Sequence, residues 1–170
     1  MEDDYDLSKL IKKKKKRVNS RRKGNSFELQ TCKLLNKTFD TKEFIRTPGS
    51  GAFASTHTLP EHLNIYGDII TPKTFKYTIE CKKGYNKEDI YSLLYYRSDF
   101  WKFIEQSEKD AQGSGLEPLL IFKQDRKAAL AVARKESFGY LEPSVDLKEY
   151  RMYLLEDLLK LDRFYWFTDF

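Results

Sequence analysis

The chain has 170 residues, of which 40% are hydrophobic and 15% aromatic, and its formal net charge is +5. That length suits one domain with a real core, and the aromatic content excludes a chain that is disordered throughout. No apolar run approaches the roughly 18 residues of a membrane span, and an acidic then lysine-rich start is not a secretory leader.

The charge is unevenly placed. Residues 1–11 sum to −3, residues 12–23 (KKKKKRVNSRRK) hold nine basic side chains and no acid, and the remainder sums to −1. The basic balance therefore sits in Lys12, Lys13, Lys14, Lys15, Lys16, Arg17, Arg21, Arg22 and Lys23. So dense a block of like charge is expected to be disordered, and it is what a nucleic-acid-binding arm looks like. A nuclear localisation signal is the rival reading. On this basis the chain divides into an arm, 1–23, and a domain, 24–170.

After the arm, Ser26 or Asn25 can cap a helix, and the spacing is helical over 27–38. Phe27, Thr31, Leu34 and Leu35 share a stripe with Cys32 at its border, and Glu28 sits at the margin of that face. Taken alone, Glu28 reads as a first-turn acid that complements the helix dipole. Phe44 and Ile45 look like a short strand end. Arg46 then precedes a Pro-Gly-Ser-Gly loop. Such a loop offers backbone N–H groups and the Ser50 hydroxyl to an anion, and Arg46 can grip a phosphate bidentately. An ordinary surface turn would read the same way. His57 and His62 match no zinc spacing and read as loop residues.

The most informative stretch is GDIITPKTFKYTIECKK, which starts at Gly67. Asp68 heads an apolar step, a turn over 71–74 follows, and then a strand with period-two alternation. Tyr77, Ile79 and Cys81 point one way, and Thr78, Glu80 and Lys82 the other. A hairpin of the two strands would lay Asp68 beside Glu80. Two carboxylates suit Mg²⁺, and an adjacent lysine can activate a water or stabilise charge at a phosphate. An acid, any residue, then lysine is a cheap pattern. It also occurs at Asp40-Thr41-Lys42, Asp125-Arg126-Lys127 and Asp146-Leu147-Lys148. Asp40 and Asp125 have no aspartate at the head of a preceding strand.

A long helix is expected over 89–112, with Ile90, Leu93, Leu94, Trp101 and Ile104 on one side. Its further Tyr91, Tyr95, Tyr96, Phe100 and Phe103 exceed what one buried face needs, which points to a dimer surface. Gly113 and Gly115 end it. Strands follow over 119–122 and 128–133 around a turn at 124–127. A last strand covers 150–154 and a short helix 155–161. The terminal RFYWFTDF can pack on the core or on a second subunit. Cys32 and Cys81 read as buried free thiols of a reducing compartment. The fold class is α/β, a central mixed β-sheet flanked by helices.

The order of these pieces carries a resemblance. A helix with Glu28, then RTPGSG, GDII and IECKK, then a helix with Gln106 and Ala111, then LEPLLIFK, is similar to the PD-(D/E)XK nuclease superfamily. Within it, the chain resembles the archaeal-type and phage Holliday-junction resolvases. The resemblance covers about residues 24–135, with Gly67 in place of the superfamily's proline. It implies a restriction-endonuclease-like core and a DNA endonuclease that uses Mg²⁺, with Mn²⁺ as a substitute. Asp68 and Glu80 would be metal ligands with the main-chain carbonyl of Cys81, and Lys82 the base or charge stabiliser. Glu28 would act on the metal or its waters, Ser50 and Arg46 near the scissile phosphate, and Gln106 in support. A four-way junction has two-fold symmetry, so cutting opposed strands calls for a C2 homodimer. The location implied is the cytoplasm, at the nucleoid or a site of viral replication, or the nucleus of a eukaryotic host. Another nuclease of the superfamily, of restriction or repair type, is an alternative reading. So is a non-catalytic nucleic-acid-binding protein. A third is an interaction protein whose lysine run is an address.

Overall fold

The structure, a computed structural model, describes residues 20–48 and 63–169. Lys12, Lys13, Lys14, Lys15, Lys16, Arg17, Ser50, His57 and His62 lie outside the described residues.

Helix α1 runs Ser20–Thr38. It starts before the Asn25 and Ser26 caps read from the sequence, so Arg21, Arg22 and Lys23 of the basic run are already helical. Arginine and lysine are good helix formers, and Gly24 costs only about 1 kcal/mol relative to alanine, which weakens a helix without stopping it. Three short strands follow: β1 (Ile45–Arg46), β2 (Leu63–Asn64) and β3 (Ile69–Pro72). They pair antiparallel in the order β1-β3-β2.

The main sheet begins with β4 (Tyr77–Lys83). The chain then crosses over through α2 (Ile90–Leu94) and α3 (Asp99–Gln112) to β5 (Glu117–Lys123), parallel to β4. Parallel neighbours require such a crossover. β6 (Leu130–Arg134), α4 (Lys135–Phe138), β7 (Ser144–Leu147), β8 (Tyr150–Leu154) and α5 (Leu155–Leu158) complete it, with a 3₁₀ turn at Arg163–Tyr165. The strand order is β4-β5-β6-β8-β7, antiparallel after the first pair. This is the mixed sheet flanked by helices that the sequence predicts.

Three expectations are corrected. First, β3 and β4 do not form a hairpin ladder; they meet at one bridge, Gly67 to Ile79. The C-terminal segment takes the place beside the intervening turn. Phe75 bridges Phe167, the Lys76 N–H donates to the Trp166 carbonyl (2.9 Å), and the Thr168 N–H donates to the Thr74 carbonyl (2.8 Å). Second, the single helix over 89–112 is two. Tyr96 adopts a left-handed conformation (φ 54°), and Ser98 starts a new helix by accepting the Phe100 N–H at 3.0 Å. Third, β7 was not read from the sequence, and α5 ends three residues short of the predicted 161.

Alternation sorts the sheet's two faces. Tyr77, Ile79, Cys81, Leu119 and Ile121 pack with Phe27, Cys32 and Leu35 of α1 and with the fully buried Trp166 and Phe167. The aromatic tail thus belongs to the core. Leu120, Phe122 and Val132 face Phe100, Phe103 and Ile104 of α3. Glu80 stands in register with Leu120 and Lys82 with Phe122, so both lie on the α3 face. Cys32 and Cys81 are buried free thiols. Among the described residues, no helix is long and apolar enough to cross a membrane.

Candidate active site

β4 is an edge strand of the main sheet, so its outward backbone groups need partners. Residues 67 and 68 supply them. The Asp68 N–H donates to the Ile79 carbonyl at 2.8 Å, and the Cys81 N–H donates to Asp68 Oδ2 at 2.8 Å. In an extended strand, N–H and C=O of one residue point the same way, so the Cys81 carbonyl also faces this open edge. The approach is close because of Gly67. Its φ is +71°, and a Cβ there would lie 2.5 Å from the Ile79 oxygen. A proline, whose φ is fixed near −65°, could not take this conformation. From the other side, Thr47 donates its N–H to the Asp68 carbonyl (2.9 Å) and its hydroxyl to the Gly67 carbonyl (3.1 Å). The aspartate is therefore held at both its backbone and its side chain.

Glu80 is 2% exposed. Its partner is Lys82, two residues along the same face, whose Nζ donates to Glu80 Oε1 and lies 5.4 Å from the Phe103 ring centre. Burial pushes the Glu80 carboxyl above the usual range, the Asp68 charge adds to that, and Lys82 pulls it back only in part. Burial is the largest single influence on Lys82 and works against its charge, but the bond to Glu80 and the negative charges of Glu80 and Asp68 together outweigh it, and the ammonium is held more firmly than usual. Glu28 reaches the same region from α1, and Arg46 of β1 donates its Nε to Glu28 Oε2 at 2.6 Å. Burial raises the Glu28 carboxyl, against the pull of Arg46.

Glu28, Asp68, Glu80, Cys81 and Lys82 line a cavity of about 610 Å³ with Lys23, Lys83, Tyr85, Asn86 and Gln106. Of the residues singled out in the sequence, Glu28, Asp68, Glu80, Cys81, Lys82, Lys23 and Gln106 meet here. Arg46 reaches the site through Glu28. Arg22 is exposed and does not line the cavity, and Arg21 lies on α1. One functional candidate was missed. Asp110 of α3 interacts electrostatically with Glu80, and its carboxyl is raised by burial and by Asp68. Its signal was helical spacing: Phe103, Gln106 and Asp110 fall on one face.

Among the described residues, no three Cys, His, Asp or Glu side chains stand close enough to cage a metal ion by themselves. Two carboxylates and a carbonyl on an open edge instead suit a hard cation that keeps its waters and shares phosphate oxygens, as Mg²⁺ does. Burial first and the Asp68 charge second raise the carboxyls of both Glu80 and Asp110, and Lys82 offsets this only in part.

Residues 19–153 match the family described as "Phage putative PDDEXK endonuclease". The chain belongs to this endonuclease family. The matched span holds all the cavity residues named above and leaves out residues 1–18 of the arm. Protein D14 of Escherichia phage T5 is 35% identical to the chain over 115 residues, which cover 64% of this chain and 67% of that protein. No solved structure matches. The cleft between α1, the β4 edge and α3 is the candidate active site: there Glu80 and Asp68 crowd against the part-buried Lys82.

Proposed function

We propose that this PDDEXK nuclease is a Mg²⁺-dependent DNA endonuclease, with Mn²⁺ as a substitute, and that its substrate is the four-way DNA junction. One observation carries the nuclease chemistry: the Asp68 carboxylate is seated on the open edge of β4, beside the buried Glu80 and its partner Lys82. Asp68, Glu80 and the Cys81 carbonyl would hold the metal, which when bound supplies charge stabilisation at the phosphate and a more acidic water. Lys82 orients the attacking water and stabilises charge on the phosphate oxygens. Its ammonium is kept in place by Glu80 on one side and Phe103 on the other. Glu28 fixes Arg46 through its Nε and turns the guanidinium toward the DNA backbone. Gln106 and Asp110 brace the site from α3, and Ser50 contributes its hydroxyl near the scissile phosphate.

The junction is supported by the RTPGSG loop and the tail of the long helix, which resemble the resolvase branch. Two opposed cuts call for a homodimer. The test is incubation with a synthetic four-way junction and a matched linear duplex, with Mg²⁺ and with EDTA. Junction nicking only with Mg²⁺ is expected. Equal cleavage of both would move the protein to another branch of the superfamily. No cleavage of either, with Mg²⁺ or Mn²⁺, would overturn the enzyme.

The basic arm serves as a phosphate-binding extension, and it runs into α1 and on to Lys23 at the cavity wall. Removal of residues 1–19, which spares α1, should weaken DNA binding and flatten its salt dependence. Each lost phosphate contact takes about 0.9 from the log–log slope on duplex DNA. Chemistry at saturating DNA should persist. An unchanged slope would favour the localisation reading.

A further inference from the structure

Among the described residues, Tyr85 is the one aromatic side chain on the wall of this cavity, and it is 43% exposed. Its backbone is unusual. Gly84 (φ 102°) and Tyr85 (φ 47°) both lie in the left-handed region, which costs a non-glycine residue roughly 1 kcal/mol or more. The loop around them is tied down. The Gly84 N–H donates to the Lys123 carbonyl (3.0 Å), and the Tyr85 carbonyl accepts from the Glu88 N–H (3.0 Å) and from Gln124 Nε2 (3.1 Å). Asn86 exchanges two hydrogen bonds with Asp125, at 2.9 and 2.8 Å, and Lys23 pairs with the same aspartate at 3.2 Å. The ring rests edge-to-face against Phe103, with centroids 4.6 Å apart. A strained, pinned backbone therefore presents a large ring to solvent, among Lys23, Lys82 and Lys83.

We infer that Tyr85 is a stacking platform for one unstacked nucleobase beside the scissile phosphate. This inference rests on the nuclease reading above and narrows it. Lysines around an aromatic ring are how proteins bind a nucleic-acid strand whose bases are free to stack. A base inside a duplex already has a neighbour on each face. A ring at the cavity wall can stack only on a base that has left its neighbours. The substrate must therefore offer an unstacked nucleotide at the cut, as a branch point does and a continuous duplex does not. Tyr85 would then set specificity, whereas the lysines bind any backbone.

The test uses the full-length protein with a four-way junction and a linear duplex, each carrying 2-aminopurine at successive positions around the cut. Binding is read in EDTA and cleavage in Mg²⁺. Tyr85→Leu keeps an apolar cover over Phe103, and Tyr85→Trp keeps an aromatic face. The leucine variant should bind the junction roughly 5- to 150-fold more weakly, the range of one lost base–aromatic stack. Its duplex affinity should be unchanged, and the tryptophan variant should bind the junction as the wild type does. Wild-type protein should quench 2-aminopurine at one junction position, and the leucine variant should not. If wild-type protein quenches at no position, or if the leucine variant binds and quenches like wild type, Tyr85 is only packing and the inference falls. Should the leucine variant melt early, the wild-type quenching pattern decides alone. A wild type that quenches but never cleaves would sink the nuclease reading and leave the stacking site standing.

Discussion

Glu108 and Asp110 lie two residues apart on α3 and enter different electrostatic surroundings. Glu108 accepts from Arg134 Nε at 3.0 Å and Nη2 at 2.7 Å, and from the Tyr150 hydroxyl at 2.6 Å. These bonds, the arginine's first, hold its carboxyl below the usual range despite burial. Burial first and the Asp68 charge second push the Asp110 carboxyl up, with Lys82 as the cation that offsets them in part. One cluster closes its charge within the fold and clamps α3 onto the sheet. In the other, Glu80 and Asp68 line the cavity with Lys82, and Asp110 adds a third carboxyl to their field. A scaffold has no reason to keep such crowding, because like charges that share a site disfavour ionisation. A site that completes itself with a divalent cation does. The difference separates structure from function within one helix.

The comparison breaks most sharply if Asp68→Asn or Glu80→Gln still cleaves. Each should abolish cleavage, because metal ligation needs the anionic oxygens, while junction binding stays near wild type. Neither should destabilise the metal-free protein much through charge, since each relieves crowding. The sign follows from linkage. The Glu80 carboxyl is raised in the folded state, so the folded protein holds the proton more tightly than the unfolded chain. Metal-free stability should fall as pH rises from the ordinary carboxylate range through the raised value. Glu80→Gln should flatten that fall. Thermal melts in EDTA across pH, beside a nicking assay in Mg²⁺, would show both effects.

Lys82 comes next. Lys82→Ala should cost on the order of 10² in rate, the scale of losing one preorganised charge stabiliser. Lys82→Arg should not restore it, because a guanidinium is bulkier and keeps its proton. Single-turnover cleavage at saturating junction reads this directly. A fully active arginine variant would remove any role that demands a lysine.

Much of this site was legible in the chain. Period-two alternation alone put Glu80 and Lys82 on one face and Cys81 on the other, and the aspartate at the head of the preceding strand marked its partner. The way the pieces meet was not legible. A hairpin is the local solution for two strands joined by a short turn. It lost to a C-terminal segment that pairs with residues 74–76 from far along the sequence. Asp68 still reaches Glu80 because Gly67 lets it dock on the strand's outer edge. Asp110 escaped notice because periodicity over 89–112 was read as one helix. The break at Tyr96 resets the phase, so the stripe of α3 must be counted from Ser98.

Metal titration sharpens the comparison further. A ligand that binds only the folded state stabilises it by about 2.7 kcal/mol at a hundredfold excess over Kd. Mg²⁺ should raise the melting temperature of the wild type and of Glu108→Gln alike, and should leave Asp68→Asn where it was. Equal responses from all three would mean the ion binds elsewhere.

The smallest effect belongs to the closed cluster. Glu108→Gln keeps the shape of the side chain and removes the charge that Arg134 and Tyr150 satisfy. It should cost on the order of 1 kcal/mol at neutral pH, since bonds to a charged group are worth more than neutral ones but Arg134 is partly open to solvent and screened. The sign is opposite to that at Glu80. A carboxyl held low in the folded state contributes stability above its ordinary value and loses it as pH falls toward the lowered one. The wild type and the glutamine variant should therefore differ most near neutrality and converge in acid. Cleavage at saturating DNA should not change, because Glu108 bonds to the sheet and does not line the cavity. Melting curves across pH, paired with single-turnover cleavage, separate the two readings. A rate loss on the scale of Lys82→Ala, in a variant that still melts cooperatively, would place Glu108 in the machinery and dissolve the contrast with Asp110.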